Sequence, residues 1–252
     1  MTKMGAWAVD RAFWITWYDL PEAGKKDYLE WLHACYLPEM LKRPGYLWAA
    51  HYASLDKSQF RRRSTGPRFS TEDPAVPTGD RYILIFGAAD TGVFGHPSRR
   101  EMHAALPESG RKMLAMRSGE RVNIMTEATR VEGPEAKNYR EGMTTAPWIQ
   151  FGNFQSTWQD EEDVHAWYSS WRMPAMSRMA GCIRTRRLAS IAGWAKQAII
   201  YEFVSLEARN HFLSSHEDSK ENEESQDKIM VSLMHAPGSA NVARRIWPPV
   251  PG

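Results

Sequence analysis

The chain has 252 residues, 42 % of them hydrophobic, enough for one large core or two smaller ones. Its 32 basic and 30 acidic residues leave a net charge of +2, a balance that gives no field for nucleic acid or an anionic membrane surface. Two cysteines exclude a disulfide framework and fit a reducing compartment; with no signal-peptide pattern at the start and no run of about 20 apolar residues, the expectation is a cytoplasmic protein.

Residues 12–18 (AFWITWY) form a strand by aromatic and β-branched content. Asp19-Leu20-Pro21-Glu22 should open a helix, with Asp19 as cap. Leu29, Leu32, Tyr36 and Met40 share its inner face, and Pro38 should kink or end it. Pro44-Gly45 marks a turn before a second strand at 46–52. Residues 56–80 are a polar insertion containing Arg61–Arg63, best described as a solvated loop, with a lid as the alternative. A third strand follows at 81–87, a helical region broken near Pro107 and Gly110 at 98–117, and a fourth strand at 121–130. A linker at 132–147 separates the first unit, 1–131, from the second, 148–252. The second unit offers a strand at 148–154, a helix from 160 to 179, strands at 182–191 and 198–204, a long helical segment at 206–234 with a very polar middle, and a last strand at 241–247.

The two units are copies. Trp31, Pro38 and Gly45 recur as Trp167, Pro174 and Gly181, each pair 136 residues apart. Each copy has the order βαββαβ, the ferredoxin-like arrangement. Such a unit covers one sheet face with its helices and leaves the other to pack on a partner. A second copy in the same chain supplies that partner, so the expected fold is α+β: two tandem ferredoxin-like units forming an intramolecular α/β barrel.

Trp-x6-Pro-x6-Gly after a strand and a helix resembles the dimeric α/β-barrel superfamily, and within it the EthD-like proteins. The resemblance is specific over residues 31–52 and 167–188 and otherwise rests on element order. It implies a small-molecule site; members include cofactor-free monooxygenases, cyclases, isomerases and aldoxime dehydratases, and haem enzymes share the fold. The family's histidine, two residues before the proline, is replaced here by Tyr36 and Arg172. Six residues after the glycine, where relatives often hold arginine, stand His51 and Arg187. The halves have therefore diverged, as they would if one kept a site or each supplied different groups.

His51 is the leading catalytic candidate, because imidazole can take and return a proton near neutral pH. Tyr36 could donate a hydrogen bond to a carbonyl or enolate, with core packing as its plainer role. Arg187 and Arg172 could anchor an anion, or simply pair with a carboxylate. Glu127 is a general acid or base if buried, otherwise an exposed strand end. Trp14 and Trp48 are substrate-contacting candidates given 11 tryptophans in the chain. Strand alternation suggests that the faces bearing His51, Asn123 and Glu127 line the cavity, since polar groups in apolar strands must be paired or wet.

No spacing of His, Cys or acidic residues suggests a metal site, and His165 or His211 are unspecific as haem ligands. The function expected is a cofactor-independent enzyme of aromatic-compound catabolism, an isomerase, cyclase or lyase (dehydratase) working by proton transfer on a small aromatic or polycyclic substrate. A haem- or oxygen-using oxidoreductase and a non-catalytic small-molecule binder are the alternatives. Exposed helices or sheet edges could pair two chains into a homodimer.

Overall fold

The computed structural model describes residues 9–60, 69–139, 146–217 and 226–250; the Arg61–Arg63 run and most of the polar 217–227 segment lie outside these. The strands are β1 (Ala12–Asp19), β2 (Tyr46–Ser54), β3 (Phe69–Ser70), β4 (Tyr82–Ala88), β5 (Ser118–Glu132), β6 (Trp148–Gln155), β7 (Cys182–Ala192), β8 (Gln197–Phe203), β9 (Met234–His235) and β10 (Asn241–Trp247). The helices are α1 (Lys25–Trp31), α2 (Leu37–Leu41), α3 (Arg99–Ala104), α4 (Glu108–Leu114), α5 (Glu161–Trp167), α6 (Met173–Met176) and α7 (Leu206–Phe212).

Eight strands close a barrel in the order β10-β2-β4-β1-β5-β7-β8-β6, with β6 returning to β10. Every pairing in this ring is antiparallel. Within each unit the second and third strands, the first and the fourth follow one another, the ferredoxin-like order. The seams are equivalent: the last strand of each unit pairs with the second strand of the other, β5 with β7 and β10 with β2. Closure removes the sheet edges.

Both faces of these strands are buried, so they read as continuous apolar runs. In β1, Phe13, Ile15 and Trp17 point into the barrel with Ile83, Ile85, Phe151 and Ile200. Trp14 and Tyr18 point outward under the first unit's helices with Tyr28, Tyr36, Phe86 and Phe94. The second unit buries Phe154, Trp167, Tyr168, Tyr201 and Phe212 in the equivalent layer.

The repeated residues have local causes. Neither proline ends its helix. A π turn precedes each one, Leu32–Tyr36 between α1 and α2 and Tyr168–Arg172 between α5 and α6. Leu37 N–H reaches back to the Leu32 carbonyl, and Met173 N–H to that of Tyr168, one residue further than in an α-helix. Proline has no N–H and crowds the carbonyl four residues back; widening that turn lets the helix continue. Gly45 and Gly181 adopt φ of 87° and 76° in the turns into β2 and β7, where a side chain would be strained.

Three local expectations change. Asp19 does not cap α1, which starts after left-handed Gly24; its carboxylate accepts from the N–H groups of Asp80 and Arg81, both at 2.9 Å. Gly110 lies buried within α4, and the break comes at Pro107. The insertion is not wholly a solvated loop: β3 pairs in parallel with β9 of the second unit. No helix among the described residues is long and apolar enough to cross a membrane.

Candidate functional site

The polar groups of the first unit converge between the outer face of its sheet and its helices. β1 presents Tyr18 and β2 presents His51 on that face, while the π turn carries His33 and Tyr36 inward. Tyr18 Oη lies 2.8 Å from His51 Nε2, and His51 Nδ1 lies 2.8 Å from His33 Nε2. Each contact holds one proton, so His51 donates to one neighbour and accepts from the other while neutral. The chain runs from fully buried Tyr18 and His51 to half-buried His33. The Tyr18 and Tyr82 rings flank His51 nearly parallel, 5.9 and 5.4 Å away.

A second pair sits in the same layer. Tyr36 Oη is 3.2 Å from His103 Nε2, with His103 supplied by α3 and its ring 6.0 Å from that of Trp14. Arg117, just before β5, joins the two pairs. Its Nε donates to Tyr28 Oη at 2.6 Å, its guanidinium lies 4.5 Å above the Tyr18 ring, and Glu120 is 3.5 Å from Nη1.

This packing sets the charge states. Burial, then His33 and Arg117, hold the His51 pKa well below the ordinary histidine value. Burial lowers His33 as well. Burial, then Arg117 and Arg99, bring His103 down to about 4. All three imidazoles are therefore neutral at cellular pH and able to accept a proton. Burial raises the Tyr36 and Tyr18 hydroxyls; the neighbouring Tyr28 adds to the rise at Tyr18 and Arg117 opposes it at both, so both tyrosines stay protonated. Burial works against the Arg117 charge, but the surrounding tyrosine and Glu120 oxygens outweigh it and keep the guanidinium protonated.

Of the residues singled out in the sequence, His51, Tyr36 and Trp14 fall in this compartment. The other candidates do not. Asn123 and Trp48 lie on the opposite, inner face: Asn123 Nδ2 donates to Ser190 Oγ at 3.0 Å and the Ala195 carbonyl at 2.9 Å, and Trp48 Nε1 donates to Asp10 at 2.9 Å. Glu127 is also on the interior side, nearly buried and paired with Arg130 at 2.9 Å and Arg186 at 3.1 Å. Arg186 in turn meets Glu202 at 2.8 Å and Asp10 at 3.1 Å, so this is a buried charge network holding the barrel, not an exposed strand end. His51 thus does not share a cavity face with Asn123 and Glu127. Arg172 and Arg187 belong to the second unit. Arg172 is enclosed by the rings of Trp167, Trp171, Tyr201 and Phe212, and Arg187 bonds His165 Nδ1 at 2.7 Å and Gln197 Oε1 at 2.5 Å. Both lie against the aromatic layer of the second unit, outside the compartment that holds His51.

Sequence reasoning missed His33, His103 and Arg117 as partners. Tyr18 shares the face of Trp14, four positions on, but nothing in the spacing joins it to residue 51. The second unit also reaches into this site: β10 pairs Trp247 opposite His51, and the Trp247 ring lies 6.3 Å from His33 at 22°.

Haem would need a buried histidine with an uncommitted nitrogen facing open space. Among the described residues, His51 commits both ring nitrogens and His165 and His211 are exposed, so these three do not fit an axial role; His33 and His103 commit only Nε2 within the layer. No three described His, Cys, Asp or Glu side chains converge as metal ligands.

No family model and no curated protein matches the chain. Solved structures do. A candidate monooxygenase from Fusobacterium nucleatum subsp. nucleatum superposes with a TM-score of 0.59 at 6 % identity, over 96 % of this chain and 94 % of that one. An anthrone oxidase-like protein gives 0.61 at 10 % identity, over 94 % and 91 %. A candidate chlorite dismutase gives 0.51 at 10 %, over 94 % and 95 %. At such identities the likeness concerns architecture alone, and the architecture is that of the dimeric α/β barrels, built here from one chain.

Proposed function

We propose that the protein is an enzyme that moves a proton on a small aromatic or polycyclic metabolite in the first unit's compartment, of isomerase, cyclase or lyase type and independent of a cofactor. The observation that carries this reading is the hydrogen-bonded chain Tyr18–His51–His33, built from neutral imidazoles in an aromatic layer. His51 has both ring nitrogens committed, so it positions and relays. His33 is the substrate-facing base: its Nδ1 takes the proton from a carbon activated by a neighbouring carbonyl or phenol. Its Nε2–H is shared with His51 Nδ1, which spreads the positive charge along the chain. Returning that proton to another carbon isomerises the substrate. Donating from Tyr36 to a departing oxygen completes an elimination.

The same deprotonation also opens an oxygen-using reading, which the names of two structural neighbours, a candidate monooxygenase and an anthrone oxidase-like protein, favour. A carbanion formed at His33 would give its electrons to dioxygen. One experiment tests both. Anthrone is incubated with the protein in deuterium oxide, with and without oxygen, and deuterium at its methylene carbon is followed by mass spectrometry. Exchange above the buffer rate under argon is expected, reduced about 10²- to 10⁴-fold in His51→Ala and Tyr18→Phe. Anthraquinone formed only in air assigns the oxygen-using reading. Wild-type exchange no faster than buffer across anthrone and related hydroxyaryl ketones, or equal rates in both variants, rejects the proton-transfer assignment.

A further inference from the structure

Arg117 is a buried cation with an incomplete set of partners. Its side chain is 1 % exposed. Nε is satisfied by Tyr28, but Nη1 has only a 3.5 Å contact to Glu120, which Arg99 also engages at 3.1 Å. Nη2 is buried and has no hydrogen-bond partner. An unmade hydrogen bond from a buried charged donor is costly, and native proteins seldom leave one without reason. The groups facing this guanidinium are Tyr18, Tyr28, Tyr36, His51, His103 and Glu120. Glu120 is the one carboxylate among them and is shared with Arg99, so the surroundings hold positive charge in excess.

The missing partner can be specified chemically. With Nε and Nη1 committed, the guanidinium cannot offer the two-pronged edge that a carboxylate prefers; it offers one nitrogen, suited to one oxygen. The surrounding walls are rings: Trp31 lies 5.2 Å from Tyr36 and 5.9 Å from Tyr28. Resting on the proton-transfer reading of this compartment, we propose that Arg117 Nη2 binds the single anionic oxygen of a hydroxyaromatic ligand, so that the site takes its substrate as a phenolate or the enolate formed from an aryl ketone. Deprotonation and anion binding are then two roles of one site, with His33 receiving the proton and Arg117 the charge left on oxygen.

The test uses para-nitrophenol, whose phenolate and phenol differ in colour. The full-length protein is titrated with it at a pH below the probe's own pKa, and the spectrum of the bound probe is recorded. The phenolate band is expected, with the probe's pKa lowered by about one to three units by the adjacent cation. Arg117→Lys should keep part of that shift, and Arg117→Gln should abolish it with at least about tenfold weaker binding at neutral pH, one unit being a factor of ten. Saturable binding of the neutral phenol only, no saturable binding, or an unchanged shift in folded Arg117→Gln overturns the proposal. Should Arg117→Gln not fold, the wild-type spectrum and Arg117→Lys decide. A lost phenolate shift with deuterium exchange intact sinks this inference alone; a phenolate shift without exchange sinks the proton-transfer reading and leaves the anion site standing.

Discussion

His51 Nδ1 lies 2.8 Å from His33 Nε2 across 18 residues of sequence, one imidazole on a barrel strand and the other on a π turn. Both rings are held neutral by burial, and the contact links an enclosed tyrosine to a half-exposed histidine.

Removing the inner end of this chain should cost stability as well as turnover. Tyr18→Phe leaves His51 Nε2 buried without a partner, a loss of about 1–3 kcal/mol. Urea denaturation should show a lower midpoint at unchanged slope. An unaltered midpoint would mean that the Tyr18–His51 contact contributes nothing to the fold.

Acid should destabilise the protein early. The folded-state pKa values of His33, His51 and His103 lie below the unfolded value near 6.5, so below that pH the unfolded chain binds more protons than the native one. Stability is therefore full above about 6.5 and lost as pH falls toward the folded values, that of His103 being about 4. His103→Gln should flatten the slope of unfolding free energy against pH in that window. An identical slope would show that His103 is not held neutral in the native state.

The buried charge network should be intolerant of single truncations. Glu202→Gln removes the carboxylate 2.8 Å from Arg186 inside the barrel, and breaking such a pair costs about 3–5 kcal/mol. Arg186 keeps Asp10 and Glu127, which places the expected loss at the lower end of that range. Thermal unfolding by circular dichroism reads it directly.

Asn123 separates structural from catalytic polarity. Its side chain ties β5 to the end of β7 through Ser190 and Ala192 and to the following turn through Ala195, on the face away from His51. Asn123→Ala should lower stability by about 1–3 kcal/mol yet leave anthrone exchange per folded molecule unchanged. A selective loss of exchange in folded protein would return Asn123 to the site.

Trp247 tests whether the second unit completes the first unit's site. Trp247→Ala removes the ring stacked beside His33 while keeping the β10–β2 pairing. Poorer kcat/KM with little change in melting temperature is expected; equal kinetics would show that the stacking does not hold His33 in place.

Much of the fold is legible in the residues. Trp31, Pro38 and Gly45 and their counterparts 136 residues later mark two copies of one unit, and continuous apolar runs rich in aromatic and β-branched residues, such as 12–18 and 82–88, mark the strands. Local chemistry suffices for these: a proline distorts its own helix turn, and a glycine takes its own left-handed φ. The choice of face was not legible. Both faces of each barrel strand are buried, so alternation sorts residues into two sets without saying which meets the helices, and His51 was grouped with Asn123 and Glu127 although they lie on opposite sides. Nor could spacing show that the π turn brings His33 onto His51, or that Arg117 comes to lie over Tyr18. Those contacts join elements distant in sequence, and only closure of the barrel and the seating of its helices fix them. The sequence by itself determined the repeated unit and the barrel it builds; the tertiary structure decided which polar residues meet, because burial on both sides of the sheet erases the polarity signal that would have told them apart.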